Sequence, residues 1–484
     1  MLEATSGKGC AVLRVAVVGS GPSGVYTAQA LVAQDRVPDV RVHVLDRLPC
    51  PYGLVRYGVA PDHEKIKSLQ NSLRTVLEHE RTTFLGNVAV GSDGIPPERL
   101  GELYDAVVYC VGAATDRPLG IPGEELPGSF SATEFVSWYS AHPDAAADGF
   151  ALRARSVVVI GAGNVAVDVT RILARNAQDL RPTDVPHGAL GTLSGSRVRE
   201  IHMAGRRGPS QARFTTKELR ELGGLPRVRV VVDEAELSLD PAYADPSTHL
   251  SPTVSSPPNV PPPTAAARRN VEVLRGWAAA GREGAGPGGP PVRTVRLRFF
   301  LRPVELLERD GRVAGVRFAR TVPDGSGGVR DAGTYEDIGA GLVLRAVGYR
   351  GIPLPGLPFD PVRGTVPHLA GRVLRDGVPS PGEYVAGWIK RGPTGVIGSN
   401  RSCAKETVAS LLDDAPLLAG RRSASTDPVA ALRAYGLSPV EWDGWLSIER
   451  AEAALGRSLG RERVKIPDWA GLLSAARSGG PAGA

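Results

Sequence analysis

The sequence predicts an α/β fold that contains two dinucleotide-binding units of the Rossmann type. Two short apolar strands, residues 14–18 and Ser156–Ile160, are each followed at once by a glycine-rich turn and an apolar helix pattern. The turns are GSGPSG at residues 19–24 and GAGNVA at residues 161–166. A strand, a glycine turn and a helix in this order form the phosphate-binding start of a dinucleotide fold. Two such starts in 484 residues indicate two nucleotide sites in one chain.

The composition is that of a globular protein and excludes several other classes. Apolar residues make up 42% of the chain and charged residues 22%, which is too apolar for wholesale disorder. No apolar run approaches the roughly 18 residues of a membrane-spanning helix, and the first residues show no signal-peptide pattern. We therefore expect neither a transmembrane segment nor a secreted protein. The net charge of +6 is modest, and no nucleic-acid partner is predicted.

The four cysteines, Cys10, Cys50, Cys110 and Cys403, lie far apart in the sequence. There is no C-x-x-C pair and no Cys/His cluster, so a disulfide scaffold, a structural zinc and an iron–sulfur cluster held by this chain are not expected. The predicted site therefore contains no metal, and reduced cysteines are the simplest interpretation.

The first glycine turn carries the complete dinucleotide fingerprint. Gly19 permits the tight turn, Gly21 lets the backbone approach a pyrophosphate, and Gly24 allows the helix to pack closely on the strand. The N-terminus of the helix adds N–H groups and positive potential for the phosphates. The next strand, residues 41–45, ends in Asp46, where an acid would bind the hydroxyl pair of a ribose. We interpret this unit as a nucleotide site rather than a structural turn.

The second glycine turn has Ala166 in its third position, which the fingerprint allows, but its next strand ends differently. Arg206 and Arg207 follow that strand, residues 198–203, where the first unit has an acid. Guanidinium groups bind a 2′-phosphate through paired charge-assisted hydrogen bonds, whereas a carboxylate would repel it. The arginine pair favours NADP over NAD, and the alternative is a solvated basic turn.

The rest of the chain predicts elements rather than sites. Between about residues 240 and 291 the composition shifts to Pro, Ser, Gly and Ala, which indicates a linker with one short helix at residues 268–280. Trp138 and Tyr139 are expected in a core, and a glycine turn is expected to open a helix at Gly395. Further strands are predicted at residues 294–301, 313–320 and 340–347, and tail helices at residues 428–476.

Two nucleotide sites without a redox cysteine pair suggest a flavin beside a nicotinamide. Hydride transfer between them is the chemistry of the cofactors, which the protein positions and tunes. Because the chain offers no disulfide to reduce, the electrons must leave the flavin for an external acceptor.

Several longer motifs are more specific. In chain order they are GSGPSG, CPYGLVRYGVAPDHEKIK, GNVAVG, GAGNVAVDVTRIL, GRRGPSQARFTTKELREL and GWIKRGPTGVIG. Together they resemble the adrenodoxin reductase-type ferredoxin–NADP reductases of mitochondria and actinobacteria. The resemblance that they carry covers residues 14 to about 412. The resemblance implies a glutathione reductase-like arrangement, in which an NADP domain at residues 116–345 is inserted within an FAD domain at residues 1–115 and 346–484. FAD and NADP(H) are the implied cofactors.

The resemblance also implies the residues of each site. Those expected to contact FAD are Gly19, Gly21, Ser23, Gly24, Asp46, Leu54, Val90, Trp388, Gly395, Val396 and Ile397. Those expected to contact NADP are Arg117, Ala162, Gly163, Asn164, Val165, Arg206, Arg207, Glu218 and Gly395. His63 and Glu221 fall near the implied nicotinamide–flavin junction, where they could manage protons as catalytic residues. The alternative is a structural histidine and a solvated helix residue.

The implied activity is that of an FAD-dependent reductase that accepts hydride from NADPH and passes single electrons to a ferredoxin-type iron–sulfur protein. The alternatives are an NADPH diaphorase or quinone reductase of the same architecture, and a non-catalytic redox sensor. An acidic ferredoxin, bound transiently, is the expected partner of a monomeric chain. Arg268 and Arg269 are candidates for its docking, and the alternative is a solvated pair beside a flexible loop. The arginine-rich, lysine-poor composition suggests a bacterial cytoplasm, with the mitochondrial matrix as the alternative.

Overall fold

The computed structural model describes residues 12–240, 242–243, 263–280, 292–418 and 427–478. Cys10 and most of the predicted linker lie outside these residues.

The strands are β1 (Leu13–Val18), β2 (Val40–Leu45), β3 (Thr82–Leu85), β4 (Ala106–Tyr109), β5 (Thr115–Asp116), β6 (Ser129–Ser131), β7 (Ser156–Ile160), β8 (Glu200–Ala204), β9 (Val228–Val232), β10 (Arg293–Arg298), β11 (Leu301–Arg309), β12 (Arg312–Pro323), β13 (Val329–Gly339), β14 (Leu342–Arg345), β15 (Tyr349–Arg350), β16 (His368–Leu369), β17 (Arg372–Arg375) and β18 (Val378–Val385). The helices are α1 (Pro22–Val32), α2 (Leu54–Tyr57), α3 (Glu64–Lys67), α4 (Leu69–Leu77), α5 (Pro97–Leu103), α6 (Ala132–Tyr139), α7 (Asn164–Ala174), α8 (His187–Ser194), α9 (Thr216–Gly223), α10 (Glu234–Ser238), α11 (Ala265–Ala280), α12 (Trp388–Arg391), α13 (Ser399–Leu418), α14 (Pro428–Ala434), α15 (Trp442–Ser458) and α16 (Trp469–Arg477).

The chain divides into two compact units. Unit 1 consists of Met1–Thr115, Ser140–Asp144 and Tyr349–Ala484, and unit 2 consists of Asp116–Tyr139 and Ala145–Gly348. Unit 1 is therefore assembled largely from the two ends of the sequence, and unit 2 from its middle. Within the described ranges, no helix has both the length and the apolar character needed to cross a bilayer.

Unit 1 is built on a seven-stranded sheet in the order β16-β17-β18-β4-β1-β2-β3. The strands from β3 across to β18 run parallel, and β17 and β16 extend the sheet in antiparallel pairing. The central strand β1, with the sequence LRVAVV, is buried along almost its whole length, as is usual for a strand covered on both faces. The order β3-β2-β1-β4 is that of a Rossmann half, in which ligands bind beyond the carboxyl ends of the strands.

Helices from distant parts of the sequence cover this sheet. α1 packs against α13, and α15 packs against α16. Trp445 of α15 is completely buried in the same core as the first strands. The predicted tail helices are thus present and belong to the core of unit 1.

Unit 2 contains a six-stranded parallel sheet in the order β6-β14-β7-β8-β10-β9. Its strand β7 has the bounds predicted from the apolar run SVVVI. The helix that follows, α7, packs with α6 and α9 on this sheet. Trp138 and Tyr139 are buried in the core of this unit, as predicted.

A three-stranded antiparallel sheet, β11-β12-β13, completes unit 2 and was only partly predicted. The strand expected at residues 294–301 is two strands, because Phe300 adopts a left-handed φ of +58° between β10 and β11. The predicted strand at residues 340–347 is shorter, at Leu342–Arg345. β13 has no apolar run, and pairs such as Arg317 with Asp337, at 2.8 Å, join it to β12.

Two predicted boundaries near the candidate sites also differ from the structure. The strand expected at residues 198–203 runs from Glu200 to Ala204. The helix expected to open at Gly395 begins four residues later, at Ser399. The reason is that Gly395 has a φ of +82°, a left-handed conformation that an α-helix does not contain.

Candidate functional site

The first glycine turn, between β1 and α1, has two glycines that the fold requires and one that it does not. Gly19 has a φ of +108°, and a Cβ there would lie 2.5 Å from the carbonyl oxygen of Cys110. A Cβ on Gly24 would overlap the carbonyl oxygen of Gly19. At Gly21, by contrast, the nearest atom to an added Cβ is the Cα of Gly53 at 3.8 Å, an ordinary contact. Gly21 therefore leaves the turn open to a ligand.

Asp46 holds this turn to the end of β2. Its Oδ2 accepts hydrogen bonds from the Ser20 N–H at 2.8 Å and the Ser20 hydroxyl at 2.5 Å, and its Oδ1 accepts from the Leu48 N–H at 2.9 Å. Burial raises the pKa of Asp46, and the hydrogen bonds from Ser20 and Leu48 oppose that shift. The carboxylate that was predicted to bind a ribose also positions the turn on which phosphates would lie.

Leu54 and Val90 come to the same turn from two loops. Leu54 opens α2 directly after a glycine whose added Cβ would lie 2.9 Å from the Cα of Gly21. Val90 lies two residues after Val88, whose N–H donates to the carbonyl oxygen of Asp46 at 2.8 Å. Leu54 therefore follows a residue that contacts the glycine turn, and Val90 follows closely after a residue bonded to Asp46.

Trp388 carries a polar group that the protein does not satisfy. A Cβ on Gly387, the residue before it, would overlap the hydroxyl of Ser23 at the start of α1. The Nε1–H of Trp388 is buried and has no hydrogen-bond partner in the described part of the chain. Buried donors are nearly always paired, so a polar ligand group beside this one would complete its hydrogen bonding.

The predicted flavin residues Gly395, Val396 and Ile397 form the turn that precedes α13. The Val396 N–H donates to the hydroxyl of Ser399 at 3.2 Å, and the carbonyl oxygen of Ile397 accepts from the side-chain amide of Asn400 at 3.0 Å. The side chain of Val396 is 65% exposed, which is unusual for an apolar residue in a fixed turn. The turn is held by the first residues of α13.

The second glycine turn, between β7 and α7, repeats the construction of the first. Gly161 has a φ of +148°, and a Cβ there would overlap the carbonyl oxygen of Ala346 beyond β14. At Gly163, none of the described atoms comes within 4 Å of an added Cβ. Ala166, in the third position, is completely buried. α7 begins at Asn164 without an acidic residue in its first turn, so its N-terminal positive potential is not neutralised.

Ala162, Asn164 and Val165, which were predicted to bind NADP, lie in or directly after this turn. The carbonyl oxygen of Ala162 accepts from the Arg213 N–H at 2.7 Å, and the Oδ1 of Asn164 accepts from the Thr215 N–H at 2.8 Å. These two bonds join the turn to the segment that leads into α9.

Arg206 and Arg207 lie directly after β8. Arg206 is exposed and Arg207 is half-buried. Neither guanidinium forms an ion pair with a carboxylate within the described ranges. Burial lowers the pKa of Arg207, and the positive charges of Arg206 and Arg213 lower it further. The site therefore has a positive potential that no side chain of the described residues neutralises.

α9 carries the two predicted glutamates. Glu218 is buried, and its N–H donates to the hydroxyl of Thr215, the N-cap of α9, at 3.3 Å. Glu221 forms an ion pair with Lys217 at 3.5 Å. Burial and the negative charges of Glu218 and Glu221 raise the pKa of Asp168, on α7, well above its usual range.

The remaining predicted residues do not all belong to the same unit. His63 belongs to unit 1, is buried, and ends the turn before α3, where its carbonyl oxygen accepts from the Lys67 N–H at 3.0 Å. Arg117 belongs to unit 2, has an exposed side chain, and donates its N–H to the carbonyl oxygen of Gly348 at 2.8 Å. Gly395, expected near the nicotinamide as well as the flavin, belongs to unit 1.

Comparison with known proteins agrees with this geometry. The family profile described as pyridine nucleotide-disulphide oxidoreductase matches residues 13–208, which include both glycine turns. NADPH-ferredoxin reductase FprA of Mycobacterium tuberculosis is 43% identical over 95% of this chain and 98% of its own length. Mitochondrial NADPH:adrenodoxin oxidoreductase of Arabidopsis thaliana is 38% identical over 96% of this chain and 95% of its own. The chain belongs to this family of NADPH-dependent reductases.

A solved structure of a family member has the same fold. Mycobacterium tuberculosis FprA in complex with NADPH aligns with a TM-score of 0.86 at 41% identity, and the alignment covers 96% of this chain and 100% of that one. The predicted family, the predicted oxidoreductase class and the predicted α/β fold with two Rossmann-like units are confirmed. The roles of individual site residues stay predictions.

Two residues at the candidate sites of this reductase were not predicted. Ser20 is the second residue of the fingerprint, and its hydrogen bonds to Asp46 could have been inferred from the position of both groups at neighbouring strand ends. Arg213 stands alone in the stretch SQARFTT, and no spacing or periodicity marks it. The position of its segment depends on hydrogen bonds to Ala162 and Asn164, which are distant from it in sequence.

Proposed function

We propose that this reductase binds FAD in unit 1 and NADPH in unit 2, and passes electrons singly to an acidic ferredoxin. The repeated turn carries the proposal, because in each unit a first glycine is required by the fold and a second has room for a Cβ without a clash. The first turn adjoins Asp46, and the second adjoins Arg206 and Arg207, which form no ion pair with the residues that the structure describes. FAD, when bound, supplies an acceptor for the hydride of NADPH and a carrier that releases its electrons one at a time.

The residues of unit 1 fit an FAD molecule. α1 has Gly21 as its N-cap and no acidic residue in its first turn, so its N–H groups offer an uncompensated positive end to a pyrophosphate. Asp46, fixed by Ser20, would accept hydrogen bonds from the ribose hydroxyls. The buried Nε1–H of Trp388 would donate to a polar atom of the flavin, which would satisfy its missing hydrogen bond.

The residues of unit 2 fit NADPH and discriminate against NADH. The N-terminus of α7 and the open face of Gly163 would receive the pyrophosphate. Arg206 and Arg207 would bind the 2′-phosphate, which NADH lacks. Glu218, buried at the start of α9, and Arg117 are assigned to the same cofactor on the resemblance alone.

Cofactor selectivity is tested by the double variant Arg206→Ala, Arg207→Ala. Hydrogen bonds to charged groups contribute roughly 1.5–3 kcal/mol each, so loss of two should weaken NADPH binding by about a hundredfold or more. NADH binding should change little, because it has no group at that position. The measurement is the dissociation constant of each nucleotide, with Arg220→Ala, an exposed arginine on α9, as the matched control. A double variant that keeps its preference for NADPH would disprove the assignment.

The electron acceptor follows from the relatives and from surface charge. The relatives are named as reductases of ferredoxin and of adrenodoxin. Arg268 and Arg269 are exposed on α11 and form no ion pair with the residues that the structure describes. Unpaired surface arginines attract an acidic partner by electrostatic steering, which accelerates a transient encounter. We assign this pair to the docking of ferredoxin.

Docking is tested by salt and by charge reversal. Ferredoxin reduction should fall steeply between low and physiological salt, where screening limits surface charges to a range of about 8 Å. Arg268→Glu with Arg269→Glu should raise the KM for ferredoxin, while reduction of a small neutral dye should stay unchanged in salt and in the variant. A ferredoxin reaction that ignores salt would argue against steering, and an unaffected double variant would move the docking surface elsewhere.

Three further attributes belong to the same proposal. The chain acts as a monomer, which light scattering of the purified protein would measure. An arginine-rich, lysine-poor composition supports a bacterial cytoplasm, and fractionation of the source cells would separate this from a mitochondrial matrix. The competing activity, reduction of a quinone, would proceed without any ferredoxin.

A further inference from the structure

We infer that Arg213 is a third arginine of the 2′-phosphate site and contributes to the preference for NADPH. The inference rests on the proposed function, because it requires that unit 2 bind NADPH. It goes beyond the arginine pair after β8, since Arg213 lies on a different segment, between β8 and α9.

The backbone on both sides of the Arg213 side chain is fixed. Its own N–H donates to the carbonyl oxygen of Ala162 in the second glycine turn at 2.7 Å. Two residues later, the Thr215 N–H donates to the Oδ1 of Asn164 at 2.8 Å. The backbone of Arg213 is therefore held against the glycine turn that would bind the pyrophosphate.

The opposite side of this segment is anchored to α11. Phe214 is buried, and its carbonyl oxygen accepts from the side-chain amide of Asn270 at 3.0 Å. The Oδ1 of Asn270, itself buried, accepts from the hydroxyl of Thr216 at 2.6 Å. With its neighbours held in this way, Arg213 can change only its side-chain rotamer, which limits the entropy lost when it binds an anion.

The positive charge of Arg213 acts on the arginine pair that follows β8. This charge and that of Arg206 act on Arg207 and disfavour the charged form of that side chain. A Cβ on Gly205, the residue before the pair, would lie 3.1 Å from the Cβ of Ala162, to whose carbonyl oxygen Arg213 is bonded. The loop with the pair and the segment with Arg213 thus meet at one edge of the glycine turn.

Three arginines come together at this edge, and no described carboxylate forms an ion pair with any of them. Elsewhere in unit 2, Arg298 and Arg320 both lie within 3.1 Å of Glu236, and Arg317 lies 2.8 Å from Asp337. Within the described residues, Arg206, Arg207 and Arg213 form no such pair. Mutual repulsion makes this arrangement unfavourable until an anion of high charge binds. A phosphate monoester, with two negative charges near neutral pH, meets that requirement better than the pyrophosphate diester.

The test measures binding to the FAD-loaded protein, with Arg213→Gln as the variant and Arg220→Gln as the matched control. Arg220 is exposed on α9 and also forms no ion pair within the described ranges. The probes are 2′,5′-ADP, NADPH and NADH, and the readout is the dissociation constant by calorimetry. Arg213→Gln should weaken 2′,5′-ADP and NADPH by about tenfold or more and leave NADH within about twofold. Arg213→Lys, which keeps the charge but loses the paired hydrogen bonds, should give an intermediate loss.

Other binding results would contradict the inference, and each would do so in a distinguishable way. Equal weakening of NADPH and NADH would place Arg213 on the pyrophosphate, and unchanged binding of 2′,5′-ADP would remove it from the site altogether. If the parent protein itself does not prefer NADPH, the proposed function fails first and the inference fails with it. An unchanged thermal midpoint of Arg213→Gln would show that a lost affinity does not come from a lost fold.

Discussion

Removing one partner of the buried ion pair between Arg56 and Glu452 should be among the most destabilising single changes in unit 1. Arg56, on α2, donates to the two carboxylate oxygens of Glu452, on α15, at 2.5 and 3.2 Å. The side chains are 1% and 0% exposed, and the guanidinium lies over the rings of Tyr57 and Trp445. Although burial opposes it, the charge of Glu452 raises the pKa of Arg56 well above its ordinary value, so the arginine stays charged.

Glu452→Gln removes the negative partner and leaves Arg56 as an uncompensated charge in the core. Such a loss costs roughly 3–5 kcal/mol of the free energy of unfolding. The matched control is Asp413→Asn, which breaks the pair between Arg36 and Asp413 at 2.7 Å, with side chains 50% and 60% exposed. An exposed pair contributes at most about 1 kcal/mol, so this variant should be almost as stable as the parent. Urea unfolding of the two variants and the parent provides the comparison.

The ion pair between Arg56 and Glu452 should also affect how tightly unit 1 retains FAD. Arg56 lies two residues after Leu54, and its carbonyl oxygen accepts from the buried ammonium of Lys465 at 2.6 Å, so the C-terminal segment positions α2. Glu452→Gln should therefore release FAD more readily than Asp413→Asn during gel filtration. Similar free energies of unfolding for the two variants would refute the reasoning about burial, and unchanged flavin retention would refute the positioning of α2.

The three remaining predictions concern the glycine turn, a buried histidine and the candidate proton carriers. Gly21→Ala should fold but retain little flavin, whereas Gly24→Ala should not fold, because its Cβ would overlap a backbone oxygen. Circular dichroism measures the folding of each variant, and the absorbance of bound flavin measures its retention. Identical behaviour of the two variants would contradict the distinction between the two glycines. Burial lowers the pKa of His43 from 6.5 to about 4, so the unfolded chain takes up a proton first and stability is lost as the pH falls through that window. Between pH 7 and pH 5 the parent should lose about 2 kcal/mol more than His43→Gln in urea unfolding, and equal losses would refute the shift. Hydride transfer needs no side-chain proton, so His63→Gln and Glu221→Gln should keep stopped-flow flavin reduction within about tenfold; a pH-dependent loss of about a hundredfold would make them catalytic.

Local patterns in the sequence predicted the parts of the fold that depend on neighbours in the chain. β7 is an uninterrupted apolar run directly before a glycine turn, and its bounds agree with the prediction. β13 was not predicted because its sequence, VRDAGTYEDIG, has neither an apolar run nor a regular alternation. Its pairing depends on β12, through contacts such as Arg317 with Asp337, and only the fold brings those residues together.

The candidate sites divide in the same way. The fingerprint glycines could be assigned from spacing, because each turn lies within a few residues of its strand and helix. The double role of Asp46 was not predicted, although Ser20 and Asp46 each lie within two residues of the end of one of two neighbouring strands. Arg213 could not be assigned from sequence at all, because its segment is fixed by Asn164 and Asn270 from two other elements.

The central claim is that electrons from NADPH leave this chain through a bound flavin to a ferredoxin. It is tested most directly by mixing the purified, FAD-loaded protein with NADPH under anaerobic conditions and following the flavin absorbance, then adding an acidic ferredoxin and following its reduction. We expect NADPH, and not an equal concentration of NADH, to bleach the flavin rapidly. The flavin colour should then return as the ferredoxin is reduced, at a rate that falls with salt. A flavin that NADPH bleaches but that only a quinone reoxidises would contradict the account.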